Sequence, residues 1–147
     1  MMNKSVKLGI QGRPDVPPRL FDLVPRYIEK YGYKDCLFAG KVNKQWVKYD
    51  GKKFYEITNS ISYGLLKLGV KKGDRIALIA NNAPEWNMID FAIQQVGAIC
   101  IPIYPTISHD DYKYIFNHSE ASIAFFTNKY LYSKVADIIA DIPTIKE

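Results

Sequence analysis

The stretch 75–106, "RIALIANNAPEWNMIDFAIQQVGAICIPIYPT", decides the fold of this chain. It opens on a continuous apolar run, "RIALIA", with the length of a strand buried on both faces. Pro84 then suits the first position of a helix, where its missing N–H would have no intrahelical partner. It also drives Ala83 out of helical backbone, so the boundary falls there. Glu85 stands in the first turn, where the helix dipole favours a carboxylate. Ile89, Ile93 and Val96 supply an apolar stripe, and after Gly97 a second apolar run, "AICIPIY", begins. Pro102 cannot donate to a ladder, so it marks that strand's end or an edge. The reading is strand, turn, helix, strand, a unit that holds ligands at the carboxyl ends of its strands. Yet the turn Asn81-Asn82-Ala83 has no glycine and no basic residue with which to cradle a phosphate.

The same alternation continues outward. Ser108-His109-Asp110-Asp111 has the spacing of a capping box and predicts a helix over 109–118. "SIAFFT" (122–127) is a third strand, "KYLYSKVADIIADI" predicts one helix over 130–139, and "TIKE" is a candidate start for a fourth strand. Towards the amino terminus, Asp50 reads as the N-cap of a helix over 51–68 with the stripe Phe54, Ile57, Ile61, Leu65 and Leu68. Gly69 closes it, with Val70 placed for a Schellman contact. "DCLFAGKVNKQWVKYD" predicts a hairpin or two short strands. "RLFDLVPRYIEKYG" has Leu20, Phe21, Val24, Ile28 and Tyr31 at helical spacing and stops at Gly32. Residues 1–17 read as an extended arm. The predicted fold class is α/β, a mostly parallel sheet with flanking helices, preceded by a helix and a β-hairpin. All three strands read as apolar throughout, so both sheet faces should be covered.

A chain of 147 residues is one domain by length, and its 48% hydrophobic and 24% charged composition is that of a globular protein. The formal charge of +5 suits an anionic ligand and equally a solvated surface. Two widely spaced cysteines and an opening "MMNKSVKLGIQG" without a signal-peptide core point to a reducing, cytoplasmic setting. No run approaches the roughly 20 apolar residues of a membrane span.

Local motifs exclude more than they assign. Neither GxGxxG nor GxxxxGK[ST] occurs. His109 and His118 have no partner at ligand spacing, so no metal site is expected. Cys100 sits in an apolar run with no neighbouring cation to activate it, so it is not expected to be a nucleophile. The aromatic pairs read as core and rim, and no nucleic-acid partner is expected. What remains are the strand ends. Asn81, Asn82, Tyr104 and Thr106 are the candidate substrate-binding residues, with the plain turn-forming role of asparagine standing beside that reading. No catalytic residue is assigned.

The stretch from "GDRIALIANNAPEW" to "NHSEASIAFF" resembles the amino-terminal part of the adenylate-forming, AMP-binding acyl-CoA synthetase superfamily. The carrying residues are Gly73-Asp74-Arg75, Asn82, Pro84-Glu85-Trp86, Gly97-Ala98, "IPIYPT" (101–106), Tyr114-Ile115, Ser119 and Ala121. "IYPT" is most similar to the long-chain fatty acid–CoA ligase branch. The resemblance implies a parent enzyme using ATP, Mg2+ and coenzyme A to activate a fatty acid through an acyl-adenylate. Acetyl- or aryl-CoA ligases, a peptide-synthetase adenylation domain and a non-catalytic α/β binding module are the alternatives. In that family the strand–turn–helix around Asn81-Asn82 is scaffold. The phosphate-binding loop and catalytic lysine lie in segments with no counterpart here. The expectation is therefore a fragment: residues 18–147 as the first part of the AMP-binding domain, inert alone, with no cofactor of its own. A stranded sheet edge would make it self-associate. In the parent the resemblance admits peripheral contact at the inner membrane face.

Overall fold

The computed structural model describes residues 19–145; the arm predicted over 1–17 lies outside them. Strand β3 (Arg75–Ile79) is the centre of a three-stranded parallel sheet, flanked by β4 (Ile99–Ile103) and β5 (Ile123–Phe126) in the order β4-β3-β5. Its side chains alternate between two cores. Ala77 and Ile79 join Tyr112 and Phe116 of α4 (His109–Ser119), Leu131 of α5 (Lys129–Ser133) and Ile138 of α6 (Ala136–Ala140). Ile76 joins Leu65 of α2 (Gly51–Lys67) and Ala92 and Ile93 of α3 (Pro84–Gln95) on the other face. The result is helix, sheet, helix, as predicted.

Burial on both faces holds for the centre only. Residues 76–79 are fully buried, whereas Ile99 of β4 is 49% exposed and Pro102 is exposed. The reason is position, since β4 pairs with β3 alone among the described strands. The Ile99 N–H donates to the Asp74 carbonyl at 2.7 Å. Parallel alternation then turns the Pro102 nitrogen to the outer edge, where its missing N–H breaks no ladder bond. Pro102 thus marks an edge.

The capping residues behave as read. The Asp50 carboxylate accepts from the Lys53 N–H at 2.7 Å. At the other end of α2, Gly69 takes φ 85°, its N–H donates to Leu66 and that of Val70 to Leu65, a complete Schellman motif. Ala83 is extended and Pro84 begins α3. The Ser108 side chain and Asp111 form a reciprocal capping box at α4.

Several expectations need correction. Leu68 is 52% exposed, and the buried face of α2 instead includes Thr58 and Ser62. The Ser62 hydroxyl lies 3.3 Å from the Ala92 carbonyl, so α3 crosses α2 where small side chains allow close approach. Helix α3 buries Met88, Phe91 and Ala92 as well as Ile93, because it is wedged between two cores. The helix expected over 130–139 is two short helices, parted at the fully buried Val135, whose φ of −130° leaves the helical region. No strand begins at Thr144-Ile145, where the Ile145 N–H turns back to the Ile142 carbonyl. The first helical segment is a short 3-10 turn, Leu20–Asp22, and α1 (Leu23–Tyr31); Leu20 and Tyr31 at its ends are exposed.

The hairpin is β1 (Phe38–Val42) and β2 (Gln45–Tyr49), with Lys41 opposite Trp46 and Val42 opposite Gln45. Asn43 and Lys44 both take positive φ, the two-residue turn whose twist matches an antiparallel pair. Phe38 and Tyr49 anchor it in a third core with Val24, Phe54, Met88 and Phe91. The Phe38 ring stacks on Phe54 at 4.5 Å.

Candidate functional site

The carboxyl ends of β3 and β4 open into a cleft of ≈ 920 Å³. Asn81 and Asn82 leave β3 and Tyr104 and Thr106 leave β4, and all four line this cleft. All four are exposed. The Tyr104 carbonyl is fixed by the Tyr112 hydroxyl, which donates to it at 3.2 Å. The third strand end does not join them. Asn128 instead caps α5, accepting from the Leu131 N–H at 2.9 Å.

The opposite wall is the hairpin, through Phe38, Gly40, Val42, Val47 and Tyr49. Two contacts hold it over the start of α3. A Cβ on Gly40 would stand 2.8 Å from Pro84 Cδ, so only glycine permits this approach. The Tyr49 hydroxyl donates to Glu85 Oε1 at 2.9 Å. That hydrogen bond, then burial, then the carboxylate's charge push the Tyr49 phenol above its ordinary pKa. Sequence reading missed this wall because it is built from contacts between distant residues. Gly40 in mid-strand was the available signal, since such a glycine often marks a close backbone approach.

The chemistry on offer is amide, hydroxyl and aromatic, with Lys41 at the hairpin the one lining cation among the described residues. Asn81, Asn82 and Asn87 present amides, Thr106 a hydroxyl, and Trp86 and Tyr104 rings. Glu85 is the lining carboxylate, and Tyr49 already occupies it. No group of three His, Cys, Asp or Glu side chains suited to a metal ion occurs among the described residues. This donor set does not fit a magnesium–triphosphate, and no step through one is assigned to it. Outside the cleft, burial first, then the charge and hydrogen bond of Asp90, push the Cys100 thiol up to about 12. It is a protonated core group at neutral pH. His109 lies against α5 and α6, with Nε2 donating to the Lys134 carbonyl at 2.6 Å.

Residues 25–146 match the family of AMP-binding enzymes. The chain belongs to that family. Within it, the long-chain-fatty-acid–CoA ligase FadD15 of Mycobacterium bovis is 36% identical over 84 residues, 57% of this chain. The chain spans only 14% of that ligase's length. Among solved structures, a long-chain-fatty-acid–CoA ligase (FadD1) from Archaeoglobus fulgidus matches 86% of this chain and 26% of its own at a TM-score of 0.74 and 22% identity. The anthranilate CoA ligase AuaEII, solved with anthranoyl-AMP, matches 89% of this chain and 25% of its own at a TM-score of 0.73 and 20% identity. The chain therefore has the α/β fold seen in these ligases, and its cleft lies at the strand ends of that fold.

Proposed function

We propose that this chain is the first part of a long-chain fatty acid–CoA ligase. The supporting observation is the identity shared with FadD15 inside a region matched by the AMP-binding family. The whole enzyme joins a fatty carboxylate to AMP from ATP, releasing pyrophosphate, and passes the acyl group to the thiol of coenzyme A, releasing AMP. ATP, Mg2+ and coenzyme A are its cofactor and co-substrates. It works in the cytoplasm, with peripheral contact at the inner membrane face. The described residues carry no step of this chemistry, and residues 18–147 alone are inert. Asn81, Asn82, Tyr104 and Thr106, which line the cleft, are the substrate-binding residues this part contributes to the whole enzyme.

Pyrophosphate exchange by the full-length gene product tests the branch. Palmitate is expected to stimulate it far more than acetate or anthranilate; the reverse order assigns the chain to an acetyl- or aryl-CoA ligase. No exchange with any acid favours a non-catalytic module. In the same enzyme, Asn82→Ala and Thr106→Val are expected to raise KM for palmitate several-fold with little change in kcat. Unchanged KM in both removes the substrate-binding role from the four residues.

A further inference from the structure

The hairpin has two unlike faces. Residues directly opposite in an antiparallel pair share a face. Phe38, Gly40 and Tyr49 turn inward, onto the third core and Pro84. Ala39, Lys41, Trp46 and Lys48 therefore turn outward, and all four are exposed, Trp46 at 63%. Lys44 at the tip is exposed too. Residues 36–49 contain three lysines and no carboxylate. The Lys41 ammonium lies 5.0 Å from the Trp46 ring centre. A cross-strand cation–π pair explains that single contact. It explains neither the two further lysines nor the absence of any acid.

We propose that this outer face docks the protein on an anionic lipid surface. Lysines attract acidic headgroups, and their long stems let the charge stay in water while the hairpin lies flat. Tryptophan prefers the headgroup boundary, where one end of the ring is wet and the other apolar. One ring among three cations fits that boundary better than a nucleic acid, whose non-specific binders offer several rings in series to stack successive bases. The proposal names the surface for the peripheral contact suggested above and does not depend on the ligase chemistry.

The test is co-sedimentation of the 147-residue chain with vesicles of phosphatidylcholine alone or mixed with phosphatidylglycerol. Binding is expected to the mixed vesicles, to weaken with salt, and to blue-shift the fluorescence of Trp46 but not of the Trp46→Phe variant. Each of Lys41→Glu, Lys44→Glu and Lys48→Glu should weaken it by about fivefold or more. These side chains leave the cores untouched, so circular dichroism should be unchanged. Undiminished binding by the triple variant overturns the hairpin and leaves peripheral contact through another face. No binding to either vesicle overturns both. Tighter binding to single-stranded oligonucleotide, lost in the same variants, replaces the lipid with nucleic acid.

Discussion

Cys36 and Cys100 carry the same thiol into opposite surroundings. Cys36 is exposed, while Cys100 packs against the core shared by α2, α3 and the sheet. A disulfide-exchange reagent at pH 8 is therefore expected to label Cys36 at once and Cys100 more than tenfold slower, until denaturant is added. Equal rates would mean that β4 opens freely. The same burial makes stability depend on alkaline pH. The unfolded chain ionises this thiol near 9.0, whereas the folded chain keeps its proton to about 12. Above pH 9 the unfolded state therefore binds fewer protons, and stability falls as pH rises. The Cys100 contribution is complete below 9.0 and is lost by about 12. Tyr49 and Tyr112 add to the loss above 10.0, the first through its bond to Glu85, the second through burial. Urea midpoints should decline from pH 9, and Cys100→Ala should flatten the part of that decline below pH 10. An unchanged slope in the variant would assign the loss to other groups. At this scale the sequence was informative about Cys100's inertness, which follows from its apolar neighbours. It was silent about Asp90, which the fold brings to Cys100 from the preceding helix.

The helices and turns show which local signals suffice. Asp50, Gly69, Pro84 and Ser108 each act through residues one to five positions away, so their roles are legible in order along the chain. Thr58 and Ser62 were not legible, because the buried face of α2 is chosen by where α3 crosses it. The break at Val135 was equally hidden, since only packing in the core holds that residue outside helical backbone. The candidate site divides in the same way. Its floor follows from the rule for strand ends, whereas its hairpin wall depends on a glycine meeting a proline far along the chain. Asp50→Ala should cost about 1 kcal/mol in urea unfolding, and Asp50→Asn much less. Gly69→Ala should cost about 1–2 kcal/mol, because alanine resists the left-handed backbone there. Gly40→Ala acts differently, since its methyl displaces the hairpin from Pro84 and breaks the bond from Tyr49 to Glu85. Amide exchange should then rise across β1 and β2 while β3 stays protected; unchanged exchange in the hairpin would show that the contact is not what holds it.

For the molecule as a whole, the sheet's free edges decide behaviour in solution. Both outer strands, β4 and β5, pair on one side only among the described residues. An unpaired edge is a template for another chain. Pro102 blunts the β4 edge by removing one outward N–H, and β5 has no such proline. The Thr127 N–H donates to the Ile79 carbonyl at 3.3 Å, and alternation back along β5 turns the Ala124 and Phe126 N–H groups outward. Apolar exposure adds to this, with Leu66, Leu68 and Ile99 each about half exposed. The described chain is thus expected to self-associate, with the β5 edge as the first point of contact. Light scattering on a size-exclusion column should give a mass above 16.9 kDa that rises with concentration. Substituting Phe126 by N-methyl-phenylalanine through semisynthesis removes one outward donor and keeps the side chain. It should return the mass towards that of a monomer. A constant monomer mass for the unmodified chain, with no binding of a hydrophobic dye, would show that short strands and Pro102 already protect both edges. An oligomer unaffected by the methyl group would move the contact to the exposed leucines of α2 and its carboxyl end.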